Sequence, residues 1–113
     1  MKHLRTLFVL SCALFTWTTA ASADEQWVQS YNGARSMNDQ AQVVGVDKLG
    51  NVYVAGSSYE GTANPATTDI TIIKYDASGE EQWEVHYDGI GHLDDYPYAI
   101  ALDGAGNVYV AGA

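Results

Sequence analysis

The stretch "DKLGNVYVAG" that begins at Asp47 returns as "DGAGNVYVAG" from Asp103, an offset of 56 residues (103 less 47) in a chain of 113. The same offset carries Glu25, Gln26 and Trp27 onto Glu81, Gln82 and Trp83. It also carries Tyr31 and Gly33 onto Tyr87 and Gly89, and Asp39 onto Asp95. A self-match this long without a gap marks a duplicated supersecondary unit, and a fixed period of this size belongs to folds that stack one module against copies of itself.

One unit holds four short runs of strand composition: "AQVVGV" from Ala41, "NVYVAGSS" from Asn51, "DITIIKY" from Asp69 and "EEQWEVHY" from Glu80. Val, Ile, Tyr and Trp dominate them, and none is long or periodic enough for a helix. The joints "DKLG", "DASG" and "DGAG" share the form D-x-x-G. In that form Asp accepts from backbone N–H groups two residues on, and Gly supplies the positive φ of a tight turn. "SSYEGTANPATT" is longer and polar, as befits a surface loop. Ile70 and Ile72 alternate with Thr71, Ile73 and Tyr75, and Ile100 and Leu102 alternate with Ala99 and Ala101. Both faces are thus small or apolar, which predicts a sheet covered on both sides rather than one washed by solvent.

The amino terminus is set apart from this pattern. Lys2, His3 and Arg5 precede the apolar run "LFVLSCALFTWTT", and "ASA" at residues 21–23 offers small residues for a signal peptidase. Residues 1–23 therefore read as a secretory signal peptide, and residues 24–113 as the repeat region. An uncleaved anchor is the bland alternative. Lipid attachment at Cys12 is disfavoured by the bulky Leu10 and by the very short apolar stretch before it.

With the leader go Lys2 and Arg5, and taking those two charges from the formal −9 leaves −11. Such a surface excludes nucleic acid as a natural partner. The single cysteine also leaves, so stability has to come from packing rather than from disulfides. The expected location is extracytoplasmic, either periplasmic or secreted, with no stable membrane span in the mature chain.

Four antiparallel strands per unit, covered on both faces by sibling units, describe a β-propeller blade. D-x-x-G-N-V-Y-V-A-G, with "DITIIKYDASGEEQWEVHYDG" and "DDYPYAIALD", resembles the bacterial SBBP repeat of seven-bladed β-propellers across residues 25–113. The resemblance implies a secreted or surface-exposed propeller and carries no particular activity. The expected fold is all-β, with antiparallel four-stranded propeller blades and about two blades' worth of chain, an incomplete propeller. Residues 25–31 would be the last strand of one blade, 41–87 a full blade, and 98–112 the first two strands of the next. A closed propeller takes about four to eight blades, so the expectation is a piece of a longer propeller or, alternatively, an oligomerising unit. Uncovered blade faces would promote self-association.

The side chains that could carry chemistry are few. Asp47, Asp76, Asp103, Asp94 and Asp95 offer oxygen ligands for calcium, with Asp94 and Asp95 the weak candidates. Turn formation is the better account, because D-x-x-G-N lacks the alternating acids and terminal Glu of a calcium loop. His86 and His92 flank the turn after the complete blade, but Ser30 and Ser36 hold the matching repeat positions and a solvated loop is favoured. No nucleophile elbow, catalytic cysteine or phosphate-cradling glycine loop is present, so no catalytic residue and no cofactor is expected. Trp27 and Trp83 recur at one place in the repeat, as residues packed between blades would. Tyr96 and Tyr98 replace Gln40 and Gln42 of the preceding unit and are the weak candidates for ligand binding.

The leading expectation is an exported, non-enzymatic scaffold or binding module for a protein, a glycan or an envelope component. The alternative is part of a propeller lyase or hydrolase whose catalytic residues lie outside this chain.

Overall fold

The computed structural model describes residues 3–4, 25–35, 37–59 and 65–113. All regular structure among them is β, and no helix is long and apolar enough to cross a membrane. Eight strands are formed: β1 (His3–Leu4), β2 (Gln29–Ser30), β3 (Gln40–Val46), β4 (Val52–Tyr59), β5 (Thr68–Tyr75), β6 (Glu81–Tyr87), β7 (Pro97–Leu102) and β8 (Val108–Gly112). The antiparallel sheet β3-β4-β5-β6 is flanked by the two-stranded sheets β1-β2 and β7-β8. Most of the residues read as a signal peptide, 1–2 and 5–23, lie outside the described residues. His3–Leu4 pair antiparallel with Gln29–Ser30.

The three D-x-x-G joints close by the chemistry their residues dictate. Asp47 Oδ1 accepts from the N–H groups of Leu49 and Asn51, both at 2.9 Å, and Gly50 takes φ 83°. Its second oxygen, Oδ2, accepts from Asn51 Nδ2 at 2.8 Å and from the Tyr53 hydroxyl at 3.1 Å. One repeat on, Asp103 does the same with Ala105, Asn107 and Tyr109, with Gly106 at φ 86°. The Asn and Tyr of the repeated D-x-x-G-N-V-Y are therefore partners of its Asp. At the middle joint Asp76 uses Ser78, Glu80 and Gln82 instead.

Ladder register places alternate residues on opposite faces. On one face lie Val52, Val54, Ile73 and Tyr75, paired Val52↔Tyr75 and Val54↔Ile73. Val52, Ile73 and Tyr75 form a buried cluster against which Trp27 and Tyr31 pack. The Trp27 and Tyr75 rings are 5.6 Å apart at 46°, Gln29 Nε2 donates to Gly79 O at 2.6 Å, and Tyr31 OH donates to Glu84 Oε1 at 2.9 Å. Burial there pushes the Tyr75 phenol up to about 12. The segment around β2 thus covers this face.

On the other face lie Tyr53, Ala55, Ile70 and Ile72, toward the β7-β8 hairpin. The side of Gly45 opens onto that hairpin: a β-carbon there would stand 3.3 Å from Leu102 Cδ1 and 3.6 Å from Ile100 Cγ2. The inner strands β4 and β5 are therefore covered on both faces by parts of the chain's own repeat, while β3 and β6 stay largely exposed. This is the propeller arrangement of blades, here an incomplete propeller of about two blades.

Two features are not written in the strand composition. A bulge between Ala41 and Val43 in β3 is repeated between Pro97 and Ala99 in β7. It brings the first strand's backbone onto the glycine of "VAG": a β-carbon on Gly56 would stand 2.1 Å from Gln40 O, and one on Gly112 would stand 2.2 Å from Tyr96 O. The second difference concerns the polar loop read from Ser57 to Thr68. Ser57, Ser58 and Thr68 are buried, and the ladder continues to Tyr59↔Thr68. Ser57 and Ser58, the end of the run "NVYVAGSS", pair with Ile70 and Asp69, and pairing with Tyr59 draws Thr68 out of the loop into the strand.

Candidate functional site

The loop between the last strand of one unit and the first of the next is tied by the same aspartate-to-glycine bond in both repeats. Asp39 Oδ2 accepts from Gly33 N–H at 2.9 Å, and Asp95 Oδ2 accepts from Gly89 N–H at 2.6 Å. The neighbouring Asp94 Oδ1 accepts from the backbone N–H and the hydroxyl of Thr68, at 2.8 and 3.3 Å. The two acids read as calcium candidates thus have separate structural partners. Asp95, together with Asp69 and Asp88 but without Asp94, brings carboxylate oxygens within 4.8 Å of one another.

His86 lies in β6, where Nδ1 stands 2.9 Å from Thr71 Oγ1 and Nε2 stands 2.6 Å from Glu84 Oε1. His92 lies in the following loop at φ 49° and pairs with Asp88. The hydrogen bond with Asp88 raises the imidazole above its usual 6.5. That pair stabilises the loop below the ordinary histidine range, and the stabilisation fades as pH rises through the raised value.

The turn aspartates shift the other way. Side-chain hydrogen bonds lower Asp47 (chiefly Asn51), Asp76 (chiefly Ser78) and Asp103 (chiefly Asn107) below 3.8. Their contribution to folding is present above the unfolded carboxylate pKa and is lost as pH falls through the depressed folded values. Carbon-detected NMR titration should give midpoints below 3.8 for these three carboxyls. Asn51→Leu should move only the Asp47 midpoint upward. Midpoints at the ordinary carboxylate value would contradict the turn geometry.

A groove of 480 Å³ opens where the bulge, the end of β4, the start of β5 and the approach to β7 converge. It is lined by Asn38, Asp39, Gln40, Ser57, Tyr59, Thr68 and Tyr96. Two phenol rings stand here among amides, hydroxyls and a carboxylate. Asp39 Oδ1 is buried with no hydrogen-bond partner among the described residues. Of the two tyrosines singled out in the sequence, Tyr96 lines this groove. Tyr98 is exposed and is not part of the lining.

Tyr59 and Asp39 escaped the sequence reading. Asp39 recurs in both repeats and so reads as structural, and Tyr59 follows a polar pair that suggested a loop. Only the β4–β5 register brings Tyr59 beside Thr68.

Stacked antiparallel leaflets, a repeated turn and a repeated interblade loop define a propeller-type module. A scan against family models finds the SBBP β-propeller repeat at residues 26–61 and 87–113, more than half of the chain. The chain belongs to the SBBP β-propeller repeat family. A search of curated proteins and a search of solved structures returned no match.

Proposed function

We propose that this chain is an exported, non-enzymatic propeller module that binds a polyhydroxylated ligand, such as an envelope glycan, through the groove containing Tyr59 and Tyr96. The observation that carries the reading is a groove lined by two tyrosines, Tyr59 and Tyr96, beside Asn38, Gln40 and Asp39. Aromatic faces suit the apolar sides of sugar rings, while amides and a carboxylate suit their hydroxyls. Export rests on the leader at residues 1–23, which gives a periplasmic or secreted location. The uncovered blade faces add a second class of partner, other copies of the chain.

Two measurements test this. Titration with a panel of neutral and amino-sugar oligosaccharides should perturb NMR signals of Tyr59, Tyr96 and Asn38 first. Tyr96→Ala should weaken binding by about tenfold, the scale of about 1.4 kcal/mol expected for losing an aromatic contact. Perturbations confined to other surfaces, or Tyr96→Ala binding as tightly as the parent, would contradict the groove. Exported protein should have lost residues 1–23 by mass, and an uncleaved mass would contradict signal processing.

A further inference from the structure

Residues with the same place in the repeat occupy opposite environments at the two ends of the stack. Tyr53 is 2 % exposed beneath the β7-β8 hairpin, whereas its counterpart Tyr109 is 59 % exposed, and buried Ala55 has an exposed counterpart in Ala111. At the other end Ile100 and Leu102 lie against Gly45, but their counterparts Val44 and Val46 are 45 % and 50 % exposed. One outer surface is thus a Tyr109 and Ala101 face, and the other is a Val44 and Val46 face. These are the two halves of a contact the molecule already makes internally.

We infer that the chain self-associates head to tail, the β7-β8 face of one copy docking on the β3-β4 face of the next. This deepens the self-association part of the proposed function and rests on it. The repeat dictates the contacts. Gly45 meets Ile100 and Leu102 within one copy, so one repeat on, Ala101 meets Val44 and Val46 of the next copy. Tyr31 meets Glu84 within one copy, so Tyr87 of the first copy meets Val28 of the second; both are exposed in the single chain.

The interface uses different surfaces on its two sides, so it is heterologous and propagates to a ring or an open chain. No described segment supplies the third strand of the joint blade. An apolar groove of 560 Å³ along Ile70, Ile72, Tyr87, Val110 and Gly112 lies beside β8 where that strand would run. The association is accordingly weak and concentration-dependent.

The test is cysteine pairing in a Cys12→Ser background. Val46→Cys and Ala101→Cys point outward from opposite faces of the stack, so one copy cannot bridge them, since a disulfide needs Cα atoms within about 7 Å. Mixing the two single variants under mild oxidation should give a disulfide dimer of one of each, while each variant alone should not dimerise. The double variant should give a ladder or a closed ring.

Ala101→Arg, which leaves the fold intact because Ala101 is exposed, should convert a concentration-dependent mass in light scattering to monomer. Val46→Cys dimerising by itself, or no mixed dimer and a monomeric parent at every concentration, would overturn the head-to-tail contact. Oligosaccharide binding is measured separately, through Tyr96. Its loss with cross-linking retained would overturn the groove alone.

Discussion

Replacing Trp27 by Ala should lower the stability of the chain by about 3 kcal/mol, the lower end of the range for losing a packed tryptophan, because the ring is only partly covered. For a folded region of this size that corresponds to a fall in Tm of about 10 °C or more. The reason is positional. Trp27 reaches from the segment before the full blade onto Tyr75, and it joins the cluster of Val52 and Ile73. Trp83 is the same residue one repeat on, yet it is 36 % exposed and lies beside Tyr53, at 6.0 Å between ring centroids. Trp83→Ala should therefore cost about 1 kcal/mol, in line with the smaller area removed. Thermal melts followed by far-UV circular dichroism would compare the two, and equal losses would refute the assignment of Trp27 as the contact between blades.

Gly56→Ala should be at least as damaging, by about 3 kcal/mol, and through a different mechanism. The new methyl would fall 2.1 Å from Gln40 O, 2.9 Å from Gln40 C and 3.0 Å from Ala41 Cα, all backbone atoms that cannot swing aside. Relief requires the β3 bulge to open and the β3–β4 ladder to part, which exceeds ordinary overpacking of a flexible side chain. The same movement would displace Asp39 and Gln40 from the groove, so oligosaccharide binding should fail together with stability. Gly104→Ala is the control, because nothing lies within 4 Å of a β-carbon there. A Gly56→Ala protein that melts like the parent would show that the first strand does not press on the "VAG" glycine.

These effects trace how much of the molecule its letters declare. The turns were legible because Asp47, Asp76 and Asp103 act on residues two to four positions away, and local chemistry is written locally. The coverage of both faces was legible because Ile70, Ile72 and Ile73 show it by alternation. The role of Trp27 followed from its recurrence as Trp83.

What stayed hidden depends on register between distant segments. The bulge at Ala41 and Val43 leaves no compositional mark, so Gly56 reads as an ordinary small residue rather than as one required by Gln40. Tyr59 and Thr68 look like loop residues and instead pair with each other at the end of the β4–β5 ladder. The groove unites residues 38–40, 57, 59, 68 and 96, which no single window of sequence brings together. Tyr96 was marked only because it differs from Gln40, and the same argument marked Tyr98, which stands apart from the lining.

The sibling-covered leaflet is tested most directly by amide hydrogen exchange at high dilution, comparing Val52–Gly56 with Val108–Gly112. The two segments have the same sequence, VYVAG, and both follow a D-x-x-G-N turn. Intrinsic exchange chemistry therefore cancels, and only their packing differs. Slow exchange in the first segment, flanked by β3 and β5 and covered on both faces, with fast exchange in the second, is the expected outcome. Equal protection of the two would mean that neighbouring leaflets do not hold the central sheet together.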